Sequence, residues 1–345
     1  MQSQETDPDA GPSRNLSVRR LKTILSYAIA GAFLVWVLDN IHPKQLLHSI
    51  AQLKWHFALL AIVADNANYL SQGVRWKLLL KPIAQVRMIK TIQATYVALF
   101  ASNVLPMRFG EIVRAYLVSR WYLKAFSEIV PSIMLEHLFE GIWLALGIMF
   151  ATFLLPSPKY LQRWAQVFGA GVVLLAALVF YALIREEKSA AAKEHEKLPL
   201  KLIHKTKLFL EQVAVGMRKI GLSTCFFMGF GVTLFSLFMQ VLALFLVAHA
   251  FGLHLALWKA GVVLLIIRVG IVIPSAPANL GAYQFFAALG LELLGVDRFR
   301  ANGFALILFF VLITPTWVTG FFALSQSGTT LLRLQHEARD AAGAD

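Results

Sequence analysis

Arg108, Glu111 and Arg114 stand close together just after Pro106, and Glu136, His137 and Glu140 follow in a strongly apolar stretch. Spacings of three (Glu111 to Arg114) and four (Glu136 to Glu140) put each pair on one helix face, so a Glu–Arg network can form between two helices. Asp65, Asn66 and Asn68 make a third polar group, and Arg268, Asn279, Tyr283 and Gln284 a fourth. Ionisable groups at membrane depth are costly and normally face a partner or a cavity. For Asp65, Glu136 and Glu140 two readings stay open: they serve a substrate, or they pair off to hold helices in place. Arg108 and Arg268 point more to a ligand, because a guanidinium offers the planar, bidentate hydrogen bonding suited to phosphate. The expected guest is a lipid phosphate headgroup, held by Arg108, Arg114 and Arg268, with Gly110, Glu111, Asn279, Gly281, Tyr283 and Gln284 around it. Asn103 and Asn279 read first as helix caps.

The elements that must position these groups are unusual. Pro106-Met107-Arg108-Phe109-Gly110 and, 171 residues later, Pro277-Ala278-Asn279-Leu280-Gly281 both read Pro-x-x-x-Gly inside apolar sequence. A helix broken at membrane depth frees backbone N–H and C=O groups, tolerated only where protein or a water-filled cavity satisfies them. A new helix begins near Gly110 and near Gly281, and its unpaired N–H groups and positive dipole end attract anions. Two breaks in matching positions predict a duplicated architecture whose broken elements meet at a binding site.

Composition sets the solvent. Hydrophobic residues make up 58% of the 345 and charged residues 15%, against about a quarter charged in a typical soluble domain, and mean hydropathy is +0.65. The net charge of +13 does not indicate nucleic acid, since the basic residues sit between apolar runs rather than along one soluble face. The lone Cys225 offers no intrachain disulfide and no cysteine metal cluster. Arg14, Arg19, Arg20 and Lys22 precede an apolar run without a small-residue cleavage site, which predicts an uncleaved first span.

A spanning helix needs about 20 apolar residues, and candidates lie near 22–41, 55–74, 129–155, 165–184, 221–250 and 302–324. The broken elements run from about Thr91 to Lys124 and from about Trp258 through Pro274 and Pro277 to Gly295. Each has two arms of roughly 13 to 16 residues, too short to span alone. Cytoplasmic segments carry the excess of Lys and Arg. If both broken elements are re-entrant and the N-terminus is inside, inside segments hold 24 of the 32 basic residues and outside segments 7, with Arg268 alone in the membrane. If both crossed fully, the split would be 14 against 17, which is no bias. The re-entrant arrangement also gives each half three crossings, so the repeat is inverted. The fold class expected is therefore an all-α polytopic membrane protein: an inverted repeat of six full transmembrane helices and two broken re-entrant hairpins, eight hydrophobic segments in all.

The domain reading follows. Residues 1–20 are a polar cytoplasmic tail, 21–155 the first membrane repeat, 156–184 the start of the second, 185–220 a cytoplasmic linker, 221–325 the rest of the second repeat, and 326–345 a cytoplasmic tail. Within the linker, Leu202, Phe209, Val213, Met217 and Ile220 form one stripe of a helix that either lies on anionic lipids or is a plain connector. Location in the plasma membrane, the inner membrane of a bacterium, with both termini cytoplasmic, is the expectation.

The order Arg75-Trp76, Asn103-x-x-Pro106-x-Arg108-x-Gly110-Glu111-x-x-Arg114, Glu136-x-x-x-Glu140, then Pro274-x-x-Pro277-x-x-x-Gly281 resembles the lysylphosphatidylglycerol synthase transmembrane-region family over most of residues 20–325. The resemblance implies an inverted-repeat, flippase-like domain that moves polar or glycosylated lipids between leaflets, and it adds Arg75 to the charge network of Asp65, Glu136 and Glu140. Some members are tied to hopanoid or isoprenoid-linked sugar pathways. Two departures bear on substrate: His137 and Gln284 stand where the family often has a charged residue. About 20 polar residues follow the last span, which leaves no room for the soluble aminoacyl-transferase domain of larger relatives.

Gly-x-Ser-x-Gly, Walker, Gly-x-Gly-x-x-Gly and His-Glu-x-x-His motifs are all absent from the sequence, so no catalytic residue, cofactor or metal is assigned. A lipid transporter is the favoured function. The alternative is a membrane-embedded transferase, or an accessory protein, acting on lipid-linked sugars or hopanoid-type lipids, with Glu111, Glu136 or Asp65 as base. Partners expected are membrane lipids with an anionic or glycosylated headgroup, and either a second copy of the chain or lipid-biosynthesis proteins, but no nucleic acid.

Overall fold

Helices of two length classes alternate along the chain. The computed structural model describes residues 50–105, 109–154, 223–272 and 276–344, with further positions within 28–38, 163–174 and 220–221, and every regular element there is helical. In order these are α1 (Trp55–Leu80), α2 (Met88–Val104), α3 (Gly110–Tyr122), α4 (Phe126–Leu154), α5 (Thr224–Ala250), α6 (Leu257–Gly270), α7 (Ala282–Leu293), α8 (Arg298–Ser325) and α9 (Leu331–Ala344). A long helix, two short ones and a long one, 26, 17, 13 and 29 residues, recur after the linker as 27, 14, 12 and 28. Among the described residues three helices are long and apolar enough to cross a membrane: Phe126–Thr152, Thr224–Ala250 and Arg298–Ser325. The expected spans near 22–41 and 165–184 and the 199–220 stripe lie largely or wholly outside the described residues.

The short helices pair within each half. The α2 and α3 arms run antiparallel: the Arg87 N–H before α2 donates to the Tyr122 hydroxyl at the end of α3 at 2.9 Å, and Lys90 Nζ lies 4.6 Å from the Trp121 ring centre. In the second half, Gly290 of α7 faces Val263 of α6, and Gly270 at the end of α6 faces Phe286. Each broken element is thus a helical hairpin rather than a kinked rod. Pro106, Met107 and Arg108 lie outside the described residues, as does Pro274. The second tip is described from residue 276 on: Pro277–Asn279 form one 3₁₀ turn, with Ala278, Asn279 and Gly281 at φ 58, 53 and 83°. Positive φ at two non-glycine residues is rare and strained.

The first long described helix of each half packs against the other along its length. The Lys54 N–H before α1 donates to the Ala250 carbonyl at the end of α5 at 3.0 Å, Asn68 meets Ser236 midway, and Leu79 lies over Gly229. So α1 and α5 are antiparallel. The second hairpin tip packs against α2, bringing the two broken elements together, and α8 packs along α2 and α7. Buried Leu244, Val263, Ile267, Phe304 and Leu308 fill the core on one side, and Trp76, Leu117, Val118 and Ile129 on the other. Leu59, Val63, Phe235, Phe310, Phe321 and Phe322 are exposed, the outward apolar surface a bilayer solvates.

Residues 331–344, expected as part of a tail, form α9, which seats Leu334 and Ala338 against α3. Glu337 accepts hydrogen bonds from Tyr116 of α3 and Arg333, and pairs with Arg120. The Arg333 hydrogen bond holds the Glu337 carboxyl below the usual range.

Candidate functional site

A cavity of about 420 Å³ opens between both hairpins and the four long described helices. Its lining residues Asn68, Glu140, Gln240 and Leu312 stand near the midpoints of α1, α4, α5 and α8. Position along α1 decides which side chains reach it: Asp65, Asn68, Tyr69, Gln72 and Arg75 recur at helical spacing and form one stripe facing inward.

One wall is an ion network. Arg75, 2% exposed, donates from Nε to Glu136 at 3.1 Å, from one terminal nitrogen to Glu140 at 2.8 Å and from the other to Thr233 at 3.3 Å. Arg114 donates to Glu136 at 2.5 Å and to Glu111 at 2.7 Å, and its guanidinium stacks 4.5 Å from the Trp76 ring centre. Glu136, 1% exposed, therefore bridges two arginines, one oxygen to each. Removing either sign from such a desolvated cluster leaves an uncompensated charge. The i+3 and i+4 spacings read from the sequence do produce the Glu–Arg network, and Arg75 completes it from 61 residues away.

The opposite wall is made of amides and phenols. Asn68 Oδ1 accepts from Gln72, Ser236 and Gln240, at 3.0, 2.6 and 3.0 Å. Tyr96 donates to Asn66 at 3.1 Å, and Tyr69 and Tyr283 face the space. Arg268, two residues before the end of α6, donates to the Gln240 side-chain oxygen. Among the described residues no carboxylate pairs with it.

Of the residues expected at the site, Asp65, Arg75, Glu111, Arg114, Glu136, Glu140, Arg268, Asn279 and Tyr283 all line the cavity. Arg108 lies outside the described residues. Gly110, Gly281 and Gln284 act from behind. A Cβ on Gly110 would meet the Ala98 carbonyl, and one on Gly281 the Ala30 carbonyl, so both glycines permit close backbone packing at a helix start. The Gln284 side-chain oxygen accepts the Gly281 N–H at 2.7 Å, and the residue is buried. That bond caps α7, and Gln284 positions the tip instead of facing the cavity. Arg114, expected to hold phosphate, gives one terminal nitrogen to two carboxylates, while its buried Nε has no hydrogen-bond partner among the described residues. Sequence reasoning does not reach Tyr69, Gln72, Thr233, Ser236 and Gln240. The signal for the last three is present: Gly229, Thr233, Ser236 and Gln240 repeat every three or four residues through the most apolar of the described helices.

A model of the lysylphosphatidylglycerol synthase transmembrane region matches residues 23–320. The chain belongs to this family. It is also similar to a UPF0104 membrane protein of Methanothermobacter thermautotrophicus, 25% identical over 302 residues that cover 82% of this chain and 86% of the relative. The cavity of this lysylphosphatidylglycerol synthase transmembrane-region protein lies wholly within the matched span, as do both hairpins.

Proposed function

We propose that this protein carries a polar or anionic lipid, phospho- or glycolipid, between leaflets, the headgroup passing through the cavity between the two hairpins while the acyl chains stay in the bilayer. The observation that carries this reading is Arg268: a cation at the cavity wall whose described partner is a neutral amide. A partly buried guanidinium with no carboxylate among the described residues is ready for an incoming anion. Asn279 and Tyr283, across the break from Arg268, complete the proposed headgroup contacts, and Arg108 is assigned to the same group. The sequence favours the first hairpin for phosphate; with Arg114 occupied by Glu111 and Glu136, the described residues favour the second.

An inverted repeat fits the antiparallel packing of α1 and α5, each crossing the other at its midpoint, as equivalent helices related by an axis in the membrane plane must. Re-entrant hairpins fit the meeting of Arg87 with Tyr122, which brings both ends of the first hairpin to one side. We place both termini in the cytoplasm on the basic-residue asymmetry. The test is a fluorescent-lipid reduction assay in proteoliposomes. Arg268→Ala is expected to slow headgroup movement about tenfold or more, equivalent to about 1.4 kcal/mol, with insertion into the membrane unchanged. Unchanged movement in Arg268→Ala and Arg108→Ala together would sink the site.

A further inference from the structure

Four carboxylates line the cavity, Asp65, Glu111, Glu136 and Glu140, against three guanidiniums, Arg75, Arg114 and Arg268. These are the described residues only, and an anionic headgroup beside Arg268 adds a negative charge to a poorly solvated space that already holds several carboxylates. Taking up one proton relieves it. The geometry decides which carboxylate takes it. Glu111, Glu136 and Glu140 each accept from a guanidinium within 3.1 Å, so protonating any of them breaks an ion pair. Asp65, 5% exposed, forms no ion pair among the described residues. Its nearest counter-charge is the more distant Arg268, felt through space.

We infer that Asp65 is a proton-binding site coupled to headgroup binding: anion and proton enter the cavity together and leave together. This rests on the transporter reading and adds its coupling ion. While the cavity is empty, ionised Asp65 and Arg268 balance each other. When a phosphate takes Arg268, Asp65 loses that compensation and binds a proton from the aqueous phase on the entry side, releasing it when the headgroup departs. Every surrounding group fits this arrangement. On its own helix Asp65 faces Asn68 and Tyr69. Tyr96 on α2 and Tyr283 on α7 bring neutral phenols, and α5 brings Ser236 and Gln240, which do not titrate in the aqueous range. From α8 the lining is Phe309, Leu312, Ile313 and Thr316. On α4, His137 lies beside Glu140, whose charge is shared with Arg75, and on α3 Glu111 pairs with Arg114. Among the described residues Arg268 links Asp65 to an incoming anion.

Linkage makes the coupling reciprocal: if the anion favours the proton, the proton favours the anion by the same factor. The probe is glycerophosphoglycerol, a phosphodiester that stays singly charged, so that any proton taken up belongs to the protein. Binding to the full chain in detergent micelles is followed by calorimetry in two buffers of different ionisation enthalpy. The wild type is expected to bind more tightly as pH falls, approaching about tenfold per pH unit where Asp65 is ionised, with up to about one proton taken up per probe. Asp65→Asn should bind with no pH dependence and no proton uptake, while Asp65→Glu keeps both. Probe binding by the wild type without proton uptake overturns the coupling and leaves the headgroup site standing. Uptake that persists in Asp65→Asn overturns the assignment to Asp65. Absence of probe binding by the wild type overturns the headgroup site and the coupling together.

Discussion

Between Arg75 and Arg114 the carboxylate of Glu136 gives one oxygen to each guanidinium, at 3.1 and 2.5 Å, and all three side chains are almost fully buried. Loss of its charge leaves two cations sharing Glu140 and Glu111 alone. Glu136→Gln is therefore expected to destabilise the fold by about 3–5 kcal/mol, read as a lower thermal midpoint in micelles. Glu140, 29% exposed and bonded to Arg75 alone, should cost less when changed to Gln, because solvent screens what remains. Equal losses in the two variants would mean that Glu136 does not bridge. Residue spacing makes half of this legible beforehand: Glu111 with Arg114 and Glu136 with Glu140 follow from helical periodicity alone. The Arg75 link does not, since 61 residues separate it from Glu136 and only tertiary packing sets that distance. Gln284 fails for a related reason. An amide three residues into a helix can face a cavity or reach back to cap, and sequence does not say which.

At the scale of elements, the hairpins owe their shape to what meets at their tips. Gly281 combines φ 83° with a Cβ position against the Ala30 carbonyl, so it carries both conformational strain and a steric limit. Gly295, at φ 85°, has nothing within 4 Å of the same position. Gly281→Ala should thus cost clearly more than Gly295→Ala, whose strain alone is about 1 kcal/mol, and it should also impair lipid movement by displacing Asn279 and Tyr283. Comparable stability for the two variants, by thermal unfolding, would show that residue 30 yields and that the tip is not clamped. The breaks themselves are readable from Pro-x-x-x-Gly, and the observed arms of 17, 13, 14 and 12 residues stay close to the lengths expected. What composition conceals is α9. Its polar sequence reads as a tail, and its two buried side chains, Leu334 and Ala338, acquire meaning only where α3 supplies a surface.

For the whole molecule, the proposed inverted repeat makes a claim about sidedness that charge counting and packing approach from different directions. Arg75 and Arg114, counted with cytoplasmic segments, belong to the buried network; without them the bias is 22 basic residues inside against 7 outside, so the asymmetry survives. Packing adds that α1 and α5 are antiparallel, which equivalent helices in a parallel repeat would not be. Leu123, 92% exposed after α3, and Leu293, 68% exposed at the end of α7, occupy matching places at the feet of the two hairpins. In a Cys225→Ser background, an impermeant thiol reagent should label Leu123→Cys from the cytoplasmic face only and Leu293→Cys from the opposite face only. Labelling of both from one face would refute the inversion. A further single cysteine at Arg87, beside Tyr122, separates hairpin from crossing. Re-entrance places it on the same face as Leu123→Cys, because a chain that enters and returns must begin and end on one side, whereas a crossing element would place the two on opposite faces.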